Sequence, residues 1–184
     1  MHDIFFALWF FLPGGLANAS PVFASRIRLL KPLYKPIDLG HSYRGKRILG
    51  DHKTWLGLLF AIFVGLIVIA LQKYGFNHSD WIKSISANVN YSKTIIWWLG
   101  PLLGFGAIFG DGLESFFKRQ IGIKSGHSWF PFDQVDYIIG GLLISLIVVR
   151  LSAVHYLVII CVWVVLHVVA TSVGYLLKLK SSPI

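Results

Sequence analysis

The residues able to do chemistry crowd into one stretch, 110–136, which holds Asp111, Asp133, Asp136, Glu114, Lys118, Lys124, Arg119 and four glycines between two long apolar runs. If the preceding run continues as a helix past Gly112, Asp111, Ser115 and Lys118 share one face at i, i+4 and i+7. Asp133 and Asp136 stand three apart at the start of the next apolar run. Paired carboxylates beside basic side chains suit a hard divalent cation, since Mg²⁺ takes one or two carboxylates together with phosphate oxygens and waters. Lys and Arg meet phosphate oxygens as point charges and as bidentate forks. Plainer roles compete at each position. Asp133 follows Pro131 and could cap a helix, Glu114 could pair with Lys118 along one helix face, and Lys118 with Arg119 could touch anionic headgroups. His127 reads as a solvated loop histidine, and His155 and His167 as interfacial or bundle-facing structural groups.

The elements that position these residues are set by composition. In 184 residues, 55% are hydrophobic and the mean hydropathy is +0.68, far above a soluble domain. This is the composition of an integral membrane protein with room for one helical bundle, because each span takes about 20 residues. The net charge of +9 would suit nucleic acid, anionic lipid or a phosphorylated substrate, so the position of the charges has to decide. The single Cys161 excludes a disulfide within the chain and reads as a small apolar residue.

Five spans are expected, at about residues 4–23, 55–72, 94–113, 136–150 and 154–177. The first resembles a signal peptide at Ala17-Asn18-Ala19, but it lacks a basic leader and precedes a strongly basic segment, so it is expected to stay. Pro13-Gly14-Gly15 should bend it. Residues 24–53 form a basic loop in which Pro32 and Pro36 break helix, and Gly40, Gly45 and Gly50 allow tight turns near a ligand. Residues 73–93 form a polar loop without evident chemistry. The third span carries two small-xxx-small pairs, Gly100 with Gly104 and Gly106 with Gly110, suited to close helix approach. Of the 17 Lys and Arg, 13 fall on the side of the first loop, the Lys118 loop and the C-terminal tail with Lys178 and Lys180. That bias predicts an N-terminus outside, a C-terminus in the cytoplasm, and both charged loops facing the cytoplasm in a multi-pass protein of the plasma membrane.

Ser115-Phe-Phe-Lys-Arg119, Gly122-Ile-Lys124 and Pro131-Phe-Asp-Gln-Val-Asp136 resemble the signature of CDP-diacylglycerol synthases. The similarity is closer to their short relatives, the CDP-archaeol synthases, in which Gly45-Lys46-Arg47-Ile-Leu-Gly50-Asp-His-Lys53-Thr54 and Gly110-Asp111 also recur. Gln134 stands where the diacylglycerol enzyme has Arg, and the chain is much shorter, which points away from phosphatidate as substrate. The resemblance implies an all-α bundle of five transmembrane helices whose two cytoplasmic loops form the active site, a single domain over residues 1–184. It implies transfer of a cytidylyl group from CTP to an isoprenoid ether lipid phosphate, 2,3-di-O-geranylgeranylglycerol 1-phosphate, releasing pyrophosphate. Asp111, Asp133 and Asp136 would hold Mg²⁺, as one ion or a two-metal pair. Lys118 and Arg119 would hold triphosphate or lipid phosphate. The Gly45–Gly50 backbone with Lys46, Arg47, Lys53 and Thr54 would cradle the nucleotide, with Ser115 as hydrogen-bond donor and Lys124 in the second loop. CTP, a lipid phosphate and the bilayer are the expected partners, nucleic acid is not, and pairing into a homodimer is left open. A cation transporter and a structural membrane subunit are the readings from other classes. The first is disfavoured by the lack of repeated halves and of charged groups at the midplane. The second predicts that Asp111→Asn and Asp133→Asn are harmless.

Overall fold

A computed structural model describes residues 1–86, 88–125 and 127–176. The chain is built of helices: α1 (His2–Ala24), α2 (Trp55–His78), α3 (Asp80–Ile85), α4 (Leu99–Gln120), α5 (Phe132–Ser145) and α6 (Ala153–Leu176). Among the described residues the strands form a two-stranded ribbon, β1 (Ser42–Tyr43) with β2 (Lys46–Arg47), in the basic loop between α1 and α2. Among the described residues four segments are long and apolar enough to cross a membrane: α1, α2, α6, and α4 together with the 3₁₀ turn Thr94–Trp98 that leads into it. Lys178 and Lys180 lie outside the described residues.

Several boundaries differ from expectation for local reasons. Thr54 starts α2 by accepting the Gly57 N–H at 3.1 Å, and with no proline to stop it the helix runs on to His78. Ser79 then ends α2 and caps α3, accepting the Ile82 N–H, so the stretch expected as loop is partly helical. Pro13 and Pro21 both lie within the continuous helix α1. The expected span 136–150 forms a helix of only 14 residues, ~21 Å at the α-helical rise against a hydrocarbon layer of ~30 Å. It begins earlier, at Phe132, and its N-cap is Pro131 rather than Asp133.

The core sits where α1 meets α4, α5 and α6. Phe6, Phe10 and Phe11 of α1 are buried with Leu99 and Leu103 of α4, Ile138 of α5, and Ile159 and Trp163 of α6. The Trp163 indole donates to the Ala7 carbonyl at 3.0 Å, which fixes α6 against α1 and gives the buried N–H a partner. The outer side of α6 is apolar and exposed, as expected for a helix facing lipid, and Cys161 lies on it.

The glycines bring the central helices into backbone contact. A Cβ at Gly100 would lie 2.1 Å from the Gly65 carbonyl oxygen, and one at Gly104 2.5 Å from the Ala61 oxygen, so α4 packs on α2 without intervening side chains. On the opposite side a Cβ at Gly110 would lie 2.2 Å from the Asp136 oxygen, and one at Gly140 2.3 Å from the Gly106 oxygen. The two small-xxx-small pairs thus serve different neighbours, the first pair α2 and the second α5.

Candidate active site

Because α4 continues past Gly112 to Gln120, Asp111, Ser115 and Lys118 remain helical, and Glu114, three residues after Asp111, joins their face. The close glycine contact at Gly110 brings the first turns of α5 against this face. As a result Asp111, Glu114 and Asp136 can each offer a carboxylate oxygen within 4.8 Å of the others. Of the expected Asp111, Asp133 and Asp136, the structure brings the first and last together, with Glu114 as their third neighbour. The Asp133 carboxylate is engaged elsewhere. It accepts the Trp129 N–H at 2.6 Å and pairs with Lys118 Nζ at 2.7 Å. Lys118, buried against α5, also lies 3.2 Å from Glu114 Oε1, so the helix-face pair is present and shares its lysine with Asp133. Lys53 Nζ reaches across from the first loop to Asp111 Oδ2 at 2.5 Å. Two ammonium groups, those of Lys53 and Lys118, therefore pair with carboxylates of the acidic cluster.

The first loop is folded around a residue that sequence reasoning missed. The Asp38 side chain, 1% exposed, accepts from Arg47 Nη2 at 2.9 Å and from the N–H groups of Gly40, Leu49 and Gly50 at 3.1, 2.9 and 3.0 Å. Burial alone would raise the Asp38 carboxyl, but hydrogen bonds from Arg47, Gly50, Leu49 and Gly40 outweigh it and hold the group well below the usual carboxylate range. Gly45 and Gly50 take φ of +75° and +100°, a region open to glycine at little cost, which lets the ribbon reverse and the chain close over Asp38. A short acidic residue two positions before Gly40 and nine before Arg47 was the available signal, and it pointed to no partner without the fold.

The two charged loops meet. Lys46 Nζ donates to the Gln120 carbonyl at 2.5 Å, Tyr43 lies near Phe116, and a Cβ at Gly50 would stand 3.6 Å from Ser125 Oγ. Two other expected ligand-binding residues, Arg47 and Thr54, have structural partners. Arg47 bridges Asp38 and Asp51, both at 2.9 Å, and Thr54 is the buried cap of α2. Ser115 is buried on α4, Arg119 is half-buried with its Nε unpartnered, and Lys124 and His127 are exposed.

Beside the carboxylates a groove of about 430 Å³ opens between α4 and α5. Its walls are apolar, with Phe109, Leu113, Phe117, Phe132, Ile139 and Leu143 among them, yet Glu114 and Asp136 also line it. One space thus joins an acidic, cation-compatible centre to a surface suited to hydrocarbon. Three hard oxygen donors fit Mg²⁺ or a similar ion, and Lys53 already supplies a positive charge to one of them.

The whole chain, residues 1–184, matches the family model described as "CarS-like: CDP-archaeol synthase". A CDP-archaeol synthase of Thermococcus gammatolerans is 35% identical over 184 residues, covering 100% of this chain and 98% of the relative. One from Methanosarcina barkeri is 35% identical over 159 residues, covering 81% and 90%. A solved structure described as "Structural insight into an intramembrane enzyme for archaeal membrane lipids biosynthesis" superposes with a TM-score of 0.69 at 27% identity, over 89% of this chain and 91% of that one. With its glycine-packed helices and its carboxylate centre beside an apolar groove, this multi-pass membrane protein belongs to the CDP-archaeol synthase family.

Proposed function

We propose that the protein transfers the cytidylyl group of CTP to 2,3-di-O-geranylgeranylglycerol 1-phosphate in the membrane, forming CDP-archaeol and pyrophosphate. Family membership supports the reaction class, and the observation that carries the site is the carboxylate group of Asp111, Glu114 and Asp136 opening into the apolar groove. A reaction between a water-soluble nucleotide and a lipid needs such a junction. The attacking lipid phosphate is already ionised, so the site has no need of a strong base. It must neutralise a polyanion, align two phosphates and stabilise the departing pyrophosphate.

In this reading Asp111, Glu114 and Asp136 hold a divalent ion, with Asp133 close by through Lys118. A bound Mg²⁺ would supply positive charge that offsets the phosphates. Lys53 and Lys118 leave their carboxylates for the triphosphate, and Arg119, whose Nε has no partner, donates to the same oxygens. Lys46 and the Gly45–Gly50 backbone border the nucleotide, while Asp38, Arg47 and Thr54 hold that border in shape. The groove takes the isoprenoid chains. Five crossings are proposed, with α5 and the turns that follow it making the short fourth one, so that the N-terminus is outside and both loops face the cytoplasm. The protein then acts as a single domain.

The test is pyrophosphate release by the purified protein in detergent with CTP and Mg²⁺, offering the ether lipid phosphate and phosphatidate in parallel, with Asp136→Asn as blank. Release with the ether lipid that stops on chelation is the expected result. Release with phosphatidate alone overturns the substrate, and no release from folded protein with either lipid overturns the function.

A further inference from the structure

Two sets of basic residues in this chain contrast. Lys46, Arg47, Lys53 and Lys118 all bond to acceptors inside the protein. Arg26, Arg28, Lys31 and Lys35 are exposed, and among the described residues none of them pairs with a carboxylate. These four are interleaved with large apolar side chains that are also exposed: Ile27 40%, Leu29 87%, Leu33 44% and Tyr34 45%. The 3₁₀ turn Arg28–Leu33 within this stretch buries no residue at all.

Both ends of the stretch are tied to membrane helices at one surface. It leaves α1 directly after Ala24. It rejoins the start of α2 where the Trp55 N–H donates to the Lys35 carbonyl at 3.0 Å and Pro36 pairs with Thr54. A segment fixed at both ends to the same end of the bundle is held near the level where α1 and α2 leave the apolar layer. In water its leucines would have no cover and its cations no counter-ions. At the headgroup layer both are satisfied, since apolar side chains enter the acyl boundary while Lys and Arg extend to phosphate.

We propose that residues 25–35 form an interfacial strap that lies in the headgroup layer and binds anionic lipid. Charge complementarity selects the lipid class: four cations without internal partners favour an anionic surface, at about a five-fold preference for each basic residue near it. The inference does not depend on the cytidylyl-transfer reading, because it concerns a surface outside the carboxylate site.

The test uses the full chain in vesicles, with the lipid-facing thiol removed by Cys161→Ser and a fluorophore attached through Leu29→Cys. Quenching by aqueous iodide and by a headgroup-nitroxide lipid is compared in phosphatidylcholine vesicles with and without about 30% phosphatidylglycerol. The expected result is that anionic lipid lowers iodide quenching about three-fold or more and raises nitroxide quenching. Raising the salt should reverse the difference, as should replacing Arg26, Arg28, Lys31 and Lys35 together by Gln. Should the Gln variant fail to fold, the salt series on the otherwise unchanged protein decides. Equal iodide quenching in the two vesicle types overturns the proposal. So does protection that appears without anionic lipid and grows with the protein-to-lipid ratio, which would identify a second copy as the occupant.

Discussion

Gly110→Ala tests whether backbone contact between α4 and α5 sets the carboxylate geometry. The added Cβ would stand 2.2 Å from the Asp136 carbonyl oxygen and 3.1 Å from the Gly140 Cα, where real Cβ contacts are essentially never under 3.0 Å. Both neighbours are backbone, so no rotamer change relieves the clash and the helices must part by about 1 Å, a displacement that typically costs about 100-fold in rate when it misaligns reacting groups. Overpacking costs about 1–3 kcal/mol, offset by up to about 1 kcal/mol of helix propensity. Asp111 and Asp136 flank the contact, so their separation opens with the helices. The expected outcome is a turnover about 100-fold lower, weaker Mn²⁺ binding, and an unfolding temperature equal to or a few degrees below that of the parent. Gly112→Ala is the control on the same helix, since nothing lies within 4 Å of its Cβ. Its stability should stay level or rise by up to about 1 kcal/mol. Pyrophosphate release, Mn²⁺ titration and thermal unfolding in one detergent give all three readouts. Parent-like turnover and metal affinity in Gly110→Ala would refute the claim that this contact holds the site together.

Two further outcomes follow from ion pairs. Lys53→Met removes the ammonium at 2.5 Å from Asp111; Mn²⁺ affinity without CTP should rise about ten-fold and CTP affinity should fall by a similar factor, the weight of one charged hydrogen bond. Titration calorimetry of each ligand checks this, and unchanged metal affinity would remove Lys53 from the site. Asp38→Asn should cost about 2 kcal/mol, because buried donors lose a charged acceptor. Since the folded carboxyl is held below its unfolded value, its contribution is fully present above about pH 4 and declines as pH falls below that. Thermal unfolding of the parent between about pH 5 and pH 3 should therefore lose stability that Asp38→Asn never had, and parallel curves would contradict this.

Much of the site was legible because it depends on short-range periodicity. Asp111, Ser115 and Lys118 were expected on one face on the condition that the helix continued, and α4 does continue to Gln120. Gly106 and Gly110 were expected at a close helix contact, and they meet Gly140 and the Asp136 backbone. The turn glycines of the first loop take positive φ at Gly40, Gly45 and Gly50. The bounds of α5 were misplaced rather than its length: it runs Phe132–Ser145 instead of 136–150, because an apolar run extends past the point where the helix stops and hydropathy does not register the change. Glu114 was seen only as a partner for Lys118, although its i+3 spacing from Asp111 was available.

The sequence alone therefore determined the membrane class, the segments that carry charge, and the side chains that share a helical face, since each follows from composition or from a period of 3.6 residues. Only the tertiary structure decided which carboxylates converge. Asp133 and Asp136 are equivalent by spacing, and the rotation of α5 against the glycines of α4 sends one to Lys118 and Trp129 and the other to Asp111 and Glu114. The role of Asp38 was likewise decided in space, because the donors that surround it come from residues two to twelve positions away, brought together only when the loop closes.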